Sequence, residues 1–243
     1  MTSRPARTPT ARPRPSPTQR HETPPPPRPA ASSARRRDAR ATRARILDAA
    51  RRELARDPDS RLEDIAAAAG VARRTVYVHF AGRAALVEGL AAEAAEAIRR
   101  AVADAPAETP DAAADLARCV LTVWPVGDRY RTLIRLARGQ DLAPARADEL
   151  LSPARDLVKG VLAHGRRQGV FQTTLPPDPL TRAVEAQLLG LLDCVNRGLW
   201  SDDGTGAAIA ALVTAGVAPD TATAKVAHLV AHPRKTGSPQ RPA

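Results

Sequence analysis

The sequence predicts an all-α protein, and three observations support that prediction. Apolar residues recur at helical spacing in Ala- and Leu-rich stretches, and clusters of Gly, Pro and Asp separate those stretches. Only six of the 243 residues are aromatic, and no segment alternates apolar and polar residues over the length of a strand. A β-sandwich or barrel needs short runs rich in Val, Ile, Thr and aromatic residues, so the composition excludes an all-β fold.

The positive charge of the chain is concentrated at its N-terminus. Twelve Arg and two acidic residues give residues 1–45 a net charge of +10, out of +11 for the whole chain. Residues 1–40 are also rich in Pro and hold almost nothing to bury, which predicts a disordered Pro/Arg-rich tail. The charge of this tail favours polyanions, although an unselective tail without a function is an alternative interpretation.

Residues 41–80 predict three short helices. Ser60 and Glu63 match the capping-box pattern at the start of the second helix, and Gly70 stands where a left-handed residue would close that helix. A tight turn that contains Gly, between the second and third helices, is typical of a helix-turn-helix motif. In that motif one helix crosses the DNA backbone while the next lies in the major groove.

The third of these helices, residues 72–79, is predicted to carry hydrogen-bond donors outward. Val76 and the following Phe80 are predicted to face inward. Its polar residues are Arg73, Arg74, Thr75, Tyr77 and His79. A concentrated donor surface on one short helix is what reading base edges in a major groove requires, and residues 41–85 are therefore interpreted as a DNA-binding domain.

Five short segments follow one another at a spacing that resembles a known family. They are Ile46-Leu47-Asp48-Ala49-Ala50, Leu62-Glu63-Asp64-Ile65-Ala66, Ala69-Gly70-Val71, Thr75-Val76-Tyr77 with His79-Phe80, and Gly82-Arg83-Ala84-Ala85-Leu86. Together they resemble the DNA-binding domain of TetR-family transcriptional regulators, and the last is similar to the way that family opens its fourth helix. Two positions depart from the family pattern, since Ala72 replaces the usual Ser or Thr cap of the third helix and Arg74 replaces a commonly small residue.

The resemblance implies a homodimer that binds a palindromic, double-stranded DNA operator and carries a C-terminal domain that senses a small-molecule effector. Repression is the commonest mode of action in that family. The implied DNA contacts are to bases from Arg73 and Arg74, and to phosphates from Thr75, Tyr77, His79 and Arg83. Tyr77 also fits a second role, in which its ring packs while its hydroxyl faces DNA.

Residues 86–230 predict a helical ligand-sensing and dimerisation domain, and residues 231–243 a short disordered tail. Apolar faces within 180–195 and 209–213 suit a dimer interface built from a pair of helices. The candidate ligand-pocket residues are Trp124, Tyr130, Leu133, Ile134 and His164, each of which also fits an ordinary core or surface position. Polar groups are sparse among them, so the predicted ligand is mainly apolar.

Catalytic and cofactor-binding motifs are not found in the sequence. It contains no HExxH, GxGxxG, P-loop or GxSxG pattern, and its two lone cysteines, Cys119 and Cys194, form no metal or disulfide framework. No apolar run reaches the ~18 residues of a membrane span. The sequence therefore predicts a cytoplasmic DNA-binding regulator that is not an enzyme and needs no cofactor or metal. The alternative is a basic, nucleoid-type protein that binds nucleic acid without sequence preference.

Overall fold

The computed structural model describes residues 29–105, 109–138 and 141–232, and every regular element in these ranges is an α-helix. The prediction of an all-α fold is thus confirmed. The helices are α1 (Pro29–Arg56), α2 (Leu62–Ala68), α3 (Arg73–His79), α4 (Arg83–Ala103), α5 (Ala112–Arg129), α6 (Thr132–Arg138), α7 (Pro144–Arg167), α8 (Pro177–Asn196), α9 (Thr205–Thr214) and α10 (Pro219–Ala231). None of the helices in the described ranges is long and apolar enough to cross a bilayer.

Helix α1 begins at Pro29, well before the predicted start near residue 41. The proline run ends at Pro29, and a proline suits the first turn of a helix because its missing N–H needs no partner there. The Ala and Arg residues that follow are good helix formers, so residues 29–40 of the predicted tail are helical in the structure. The boundary of the tail at residue 40 stays a prediction. The rest of that tail, residues 1–28, lies outside the described residues, as does most of the predicted C-terminal tail, residues 233–243.

The core of the predicted DNA-binding domain forms where α1, α2, α3 and α4 meet. Leu54 of α1, Ile65 of α2, Val76 of α3 and Leu86 of α4 are fully buried, and they belong to one hydrophobic cluster. Each of these residues lies on the apolar face that the helical spacing of the sequence predicts. The packing of these faces holds the short helices α2 and α3, because seven-residue helices are not stable alone.

The cap of α2 differs from the predicted one by one residue. Arg61 is the N-cap residue, and its backbone N–H donates a hydrogen bond to the Asp64 carboxylate at 3.0 Å. Ser60 is buried instead, and its hydroxyl donates to the carbonyl oxygen of Glu53 at 3.4 Å. The predicted Ser60–Glu63 capping box is therefore wrong, because the end of α1 takes up the Ser60 hydroxyl.

Hydrophobic contact continues through α4 from the first three helices into the rest of the chain. Leu86 and Leu90 share a cluster with α1–α3, and Ala94 and Ile98 belong to the same cluster near α6 and the start of α7. A second cluster joins α5, the end of α7, and helices α8, α9 and α10. The domain boundary between residues 85 and 86 stays a prediction, since no gap in the core marks it.

Gly89 lies where α4 approaches α1 and the end of α3. A Cβ atom at this position would lie 2.8 Å from Phe80 Cε1 and 3.1 Å from Leu47 Cδ2, and both side chains are buried. We expect Gly89→Ala to destabilise the fold by about 1–3 kcal/mol, the usual cost of overpacking a filled core. Denaturant unfolding measures this change. Ala92→Ser, on the exposed side of the same helix, is the control and should cost less than about 0.5 kcal/mol. A Gly89→Ala protein as stable as the wild type would contradict this packing.

Candidate DNA interface and ligand cavity

The turn between α2 and α3 fixes how α3 is presented. Gly70 adopts a φ of 64°, the left-handed conformation that its place in the sequence predicts and that glycine tolerates best. The N–H of Val71 donates to the carbonyl oxygen of Ala66 at 3.0 Å, which closes α2. Ala72 is the N-cap residue of α3 and makes no side-chain capping bond, as its departure from the family pattern implies.

Arg74 and Val78 point directly away from the core. Each lies two residues from the fully buried Val76, which places it about 160° around the helix from the buried position. Val78 is 75% exposed, whereas Val76 is 0% and Phe80 2% exposed, so the prediction that Val76 and Phe80 face inward is confirmed. Two valines spaced two residues apart cannot both face one core from a helix. Val76 takes that place together with Phe80, one turn further along.

Arg73 and Tyr77 lie on the flank of α3 that is nearer to α2. The Arg73 guanidinium is 2.9 Å from the carboxylate of Glu63 on α2, and it lies over the Tyr77 ring at 5.5 Å from its centre. The Tyr77 side chain, and then the charge of Glu63, raise the pKa of Arg73. The ring of Tyr77 is 44% exposed, so it both packs against Arg73 and presents its edge to solvent.

Thr75 and His79 are half-buried on the other flank of α3. The backbone N–H of Thr75 donates to the carbonyl oxygen of Ala72 at 2.8 Å, within the first turn of the helix. Five of the six predicted DNA-contacting residues thus lie on this one short helix. Their contacts with DNA stay predictions.

Arg83, the sixth of these residues, is engaged within the protein. Its Nη1 donates to the carbonyl oxygen of Ser60 at 3.0 Å, and its Nη2 donates to the carbonyl oxygen of Pro58. The same Nη2 lies 3.3 Å from the carboxylate of Asp141, just before α7. Arg83 therefore joins the α1–α2 loop and the start of α4 to the segment between α6 and α7. A contact of Arg83 with phosphate stays a prediction, and its internal contacts have no local sequence signal.

A cavity of about 540 Å³ lies among α4, α5, α6, α7 and α8. The predicted pocket residues in its lining are Trp124, Tyr130, Leu133 and Ile134. His164 is not part of the lining of this cavity, and its role in a ligand pocket stays a prediction. The α7 side chains of the lining end at Val158, and His164 lies about 9 Å further along the helix axis. Its Nε2 instead lies 2.8 Å from Nε2 of Gln168.

The charged side chains of the cavity wall are paired with one another. Arg155 on α7 places its Nε 2.6 Å from Glu185 on α8 and its Nη2 2.9 Å from Asp148. Arg182 lies 3.0 Å from the same Asp148 oxygen. The hydrogen bond to Glu185 raises the pKa of Arg155, and the hydrogen bond from Arg182 lowers the pKa of Asp148. The wall therefore presents mostly apolar surface, and its charged residues, Asp148, Arg155 and Glu185, form ion pairs with one another.

Trp124 connects the cavity with the start of α9. Its Nε1 donates to the carbonyl oxygen of Asp202 at 3.1 Å, and its ring meets Trp200 edge-on at a centroid distance of 5.9 Å. The Asp202 carboxylate accepts hydrogen bonds from the N–H groups of Gly206 at 2.9 Å and Ala207 at 3.0 Å. Because its polar atom is bonded on the outer side, Trp124 offers the cavity only apolar ring surface.

The helices predicted to form the dimer interface have both buried and accessible apolar side chains. Leu180, Val184 and Leu212 are buried within the chain. The accessible side chains are Leu188, Leu191, Val195 and Ile209, which are partly buried, and Val213, which is 40% exposed. Within the described ranges, no group of three or more His, Cys, Asp or Glu side chains is arranged to hold a metal ion.

The arrangement of α1–α3 defines a helix-turn-helix DNA-binding protein, in which α3 is presented by a tight turn on a neighbouring helix. Residues 46–90 match the family model described as bacterial regulatory proteins of the tetR family. The part of the chain from within α1 to the first half of α4 is therefore similar to the DNA-binding domain of that family. None of the curated proteins matches its sequence.

Solved structures share the fold at low sequence identity. The TetR-family regulator PfmR from Thermus thermophilus is 18% identical, with a TM-score of 0.59 over 71% of this chain and 97% of its own. FadR from Bacillus subtilis, in complex with stearoyl-CoA, is 18% identical, with a TM-score of 0.56 over 71% and 96%. LfrR from Mycobacterium smegmatis, in complex with proflavine, is 24% identical, with a TM-score of 0.57 over 72% and 95%.

Cys119 provides a chemical test of how closed the cavity wall is. Its side chain is in the lining, and burial raises the pKa of its thiol to about 12. We expect iodoacetamide to modify Cys119 only after unfolding, because the thiolate is the nucleophile and about one thiol in 10⁴ is ionised at pH 8. Mass spectrometry of a Cys194→Ser variant, labelled in native and denaturing buffer, isolates this thiol from the half-buried Cys194. Rapid labelling in native buffer would contradict the burial of Cys119.

Proposed function

We propose that this regulator is a repressor that binds a palindromic operator as a homodimer and releases it when a small, mainly apolar molecule fills the cavity. The observation that carries the proposal is that a single helix, α4, packs on the DNA-binding core and also lines the cavity. Leu86 and Leu90 of α4 belong to the DNA-binding core, while Ala94 and Ile98 are cavity residues. In this proposal residues 41–85 bind DNA, residues 86–230 sense the effector and dimerise, and the protein acts in the cytoplasm by binding rather than by catalysis.

Reading of the operator is assigned to the outward face of α3. The helix carries two arginines and no acidic residue. Arg74 has no ion pair within the described residues and lies opposite the buried face, so it is placed to donate two hydrogen bonds to a guanine. The ion pair of Arg73 with Glu63 joins side chains that are 62% and 43% exposed. Such pairs contribute little, so Arg73 can exchange Glu63 for DNA.

The proposed homodimer is supported by the accessible apolar side chains of α8 and α9. A two-fold dimer would pair these helices with their copies and bury Val213, which is 40% exposed in the single chain. The two α3 helices of such a dimer must lie ~34–36 Å apart to enter successive major grooves, and the operator must then be palindromic. Gly190 supports close helix approach on α8, since a Cβ there would meet no atom within 4 Å in the single chain.

An effector role for the cavity is supported by helix α6, which lines the cavity and also contacts α1. Leu133 and Ile134 of α6 line the cavity. Arg135, the next residue of α6, donates to the carbonyl oxygens of Leu54 at 2.8 Å and Ala55 at 2.6 Å. These carbonyls lie at the end of α1, so a molecule that displaces α6 also displaces α1. The structures of LfrR with proflavine and FadR with stearoyl-CoA are those of ligand-binding neighbours, which favours an organic effector here.

Selection of bound duplexes from a random pool separates this proposal from its alternative. A regulator should enrich one palindrome and prefer it to random DNA by ~10³-fold or more. A nucleoid-type protein that binds through the basic N-terminal segment should enrich none and bind all duplexes alike. Enrichment of a palindrome, together with a dimer mass in solution, is the expected result. The absence of any enriched sequence would contradict the proposal.

Single substitutions on α3 should separate base reading from phosphate contact. Arg74→Ala is expected to weaken the binding free energy for the selected operator by ~1–3 kcal/mol and to relax the base preference at one base pair in each half-site. Tyr77→Phe and Thr75→Val should instead weaken all duplexes by similar factors, because phosphate contacts position the protein without reading sequence. Fluorescence anisotropy titrations with the operator and a scrambled duplex measure both effects.

Arg99→Ala is the matched control for these substitutions. Arg99 lies on the exposed side of α4, in an ion pair with Glu96, and its replacement should change neither affinity nor sequence preference. An Arg74→Ala protein that keeps both the affinity and the preferred sequence of the wild type would remove α3 as the reading helix.

A further inference from the structure

We propose that Val78 is a base-reading residue that contacts the C5-methyl group of a thymine within two base pairs of the one read by Arg74. The inference rests on the proposed function, because it assigns part of the sequence preference of the same DNA-binding surface. It concerns the class of base that the protein recognises, an A·T pair with its thymine methyl in the major groove.

The exposure of Val78 is the first observation behind this assignment. At 75% it is the most exposed of the large apolar side chains in the described part of the chain. Val78 is also on the reading helix itself, where every other exposed residue has a polar group. A valine has a lower helix propensity than alanine, lysine or arginine, and here it gains no burial in exchange. Nothing in the fold of the domain calls for a branched apolar side chain at this position.

The second observation is the register of Val78 with Arg74. The two residues are four apart and therefore lie on one line along the helix, both about 160° from the buried Val76. Arg73 and Tyr77 form the neighbouring line, which is turned toward Glu63 of α2. The outermost line of α3 thus consists of one guanidinium and one branched apolar group.

The chemistry of the major groove matches these two groups. A guanine offers the acceptors N7 and O6 to an arginine, while a thymine is the base that adds an apolar methyl group. Arg74 and Val78 are about 6 Å apart along the helix axis, and neighbouring base pairs are about 3.4 Å apart. We therefore place the thymine within two base pairs of the guanine in each half-site.

Replacement of thymine by deoxyuridine tests the contact, because it removes the methyl group and leaves the hydrogen-bonding edge intact. Each thymine of the selected palindrome is replaced in turn, in both half-sites, and the affinity is measured for the wild type and for Val78→Ala. At one thymine position the affinity of the wild type for the operator should fall about three- to fivefold for each methyl group removed, which is the effect of one buried methyl-sized group. Val78→Ala should bind the thymine and uracil duplexes equally well at that position.

Two further variants complete the experiment. Val78→Thr keeps one of the two methyl groups and should show an intermediate sensitivity to uracil. Val230→Ala alters another exposed valine, 48% exposed on α10, and should keep the full wild-type sensitivity. Since Val78 contributes no buried surface to the core, its variants should unfold at the same denaturant concentration as the wild type.

The possible outcomes separate this inference from the function on which it depends. A palindrome without thymine in its half-sites, or one whose uracil derivatives bind wild type and Val78→Ala in the same ratio, overturns the reading role of Val78 and leaves the regulator intact. Failure of the wild type to select any sequence overturns the proposed function and the role of Val78 together. A thymine whose methyl matters to the wild type and not to Val78→Ala supports the contact.

Discussion

The burial of α4 on both of its halves is the constraint on which the rest of the structure depends. Val87 near its start is fully buried against α1–α3, and Ile98, three turns later, is buried near α6 and α7. The helix has 21 residues and is about 31 Å long. Because both halves of the helix bury side chains against their neighbours, a tilt at one end changes the packing at the other. In the proposed switch, the cavity acts on the DNA-binding helices through this constraint.

Three arginines add polar contacts that set the register between the two ends of the fold. Arg83 and Arg135 bind backbone carbonyl oxygens at or beyond the end of α1, where a helix leaves acceptors without partners. Arg146 on α7 lies 2.6 Å from Glu88 on α4. Exposed ion pairs contribute little to stability alone. The hydrogen bonds of Arg83 and Arg135 also fix the position of the end of α1, because each guanidinium ties its own helix to particular backbone carbonyl oxygens there.

Much of the fold could be predicted from the sequence because its signal is local. The apolar stripe of α4 and the turn at Gly70 follow from spacing and backbone preference, and both are found in the structure. The inward face of α3, formed by Val76 and Phe80, also follows from helical spacing, and both residues are buried. By contrast, the contacts of Arg83 with Pro58 and Asp141 cross 25 and 58 residues of sequence, and no local pattern encodes them.

The cavity shows the same division between local and long-range information. Four predicted pocket residues come together because they lie on α5, on α6 or between them, and line the same cavity. His164 lies further along α7 than the last α7 residue of the lining, Val158. The charged wall formed by Asp148, Arg155 and Glu185 depends on the pairing of α7 with α8. Such pairing is a tertiary contact, and the sequence spacing of these residues does not indicate it.

The central claim is that occupancy of the cavity and binding of the operator oppose each other through α4. The most direct test is a calorimetric titration of an apolar probe, N-phenylnaphthylamine, into the dimer alone and into the dimer saturated with its selected operator. Linkage requires that a ligand which lowers operator affinity severalfold is itself bound more weakly, by the same factor, when the operator is present. The account predicts this loss of probe affinity. Equal probe affinity with and without the operator would contradict the coupling.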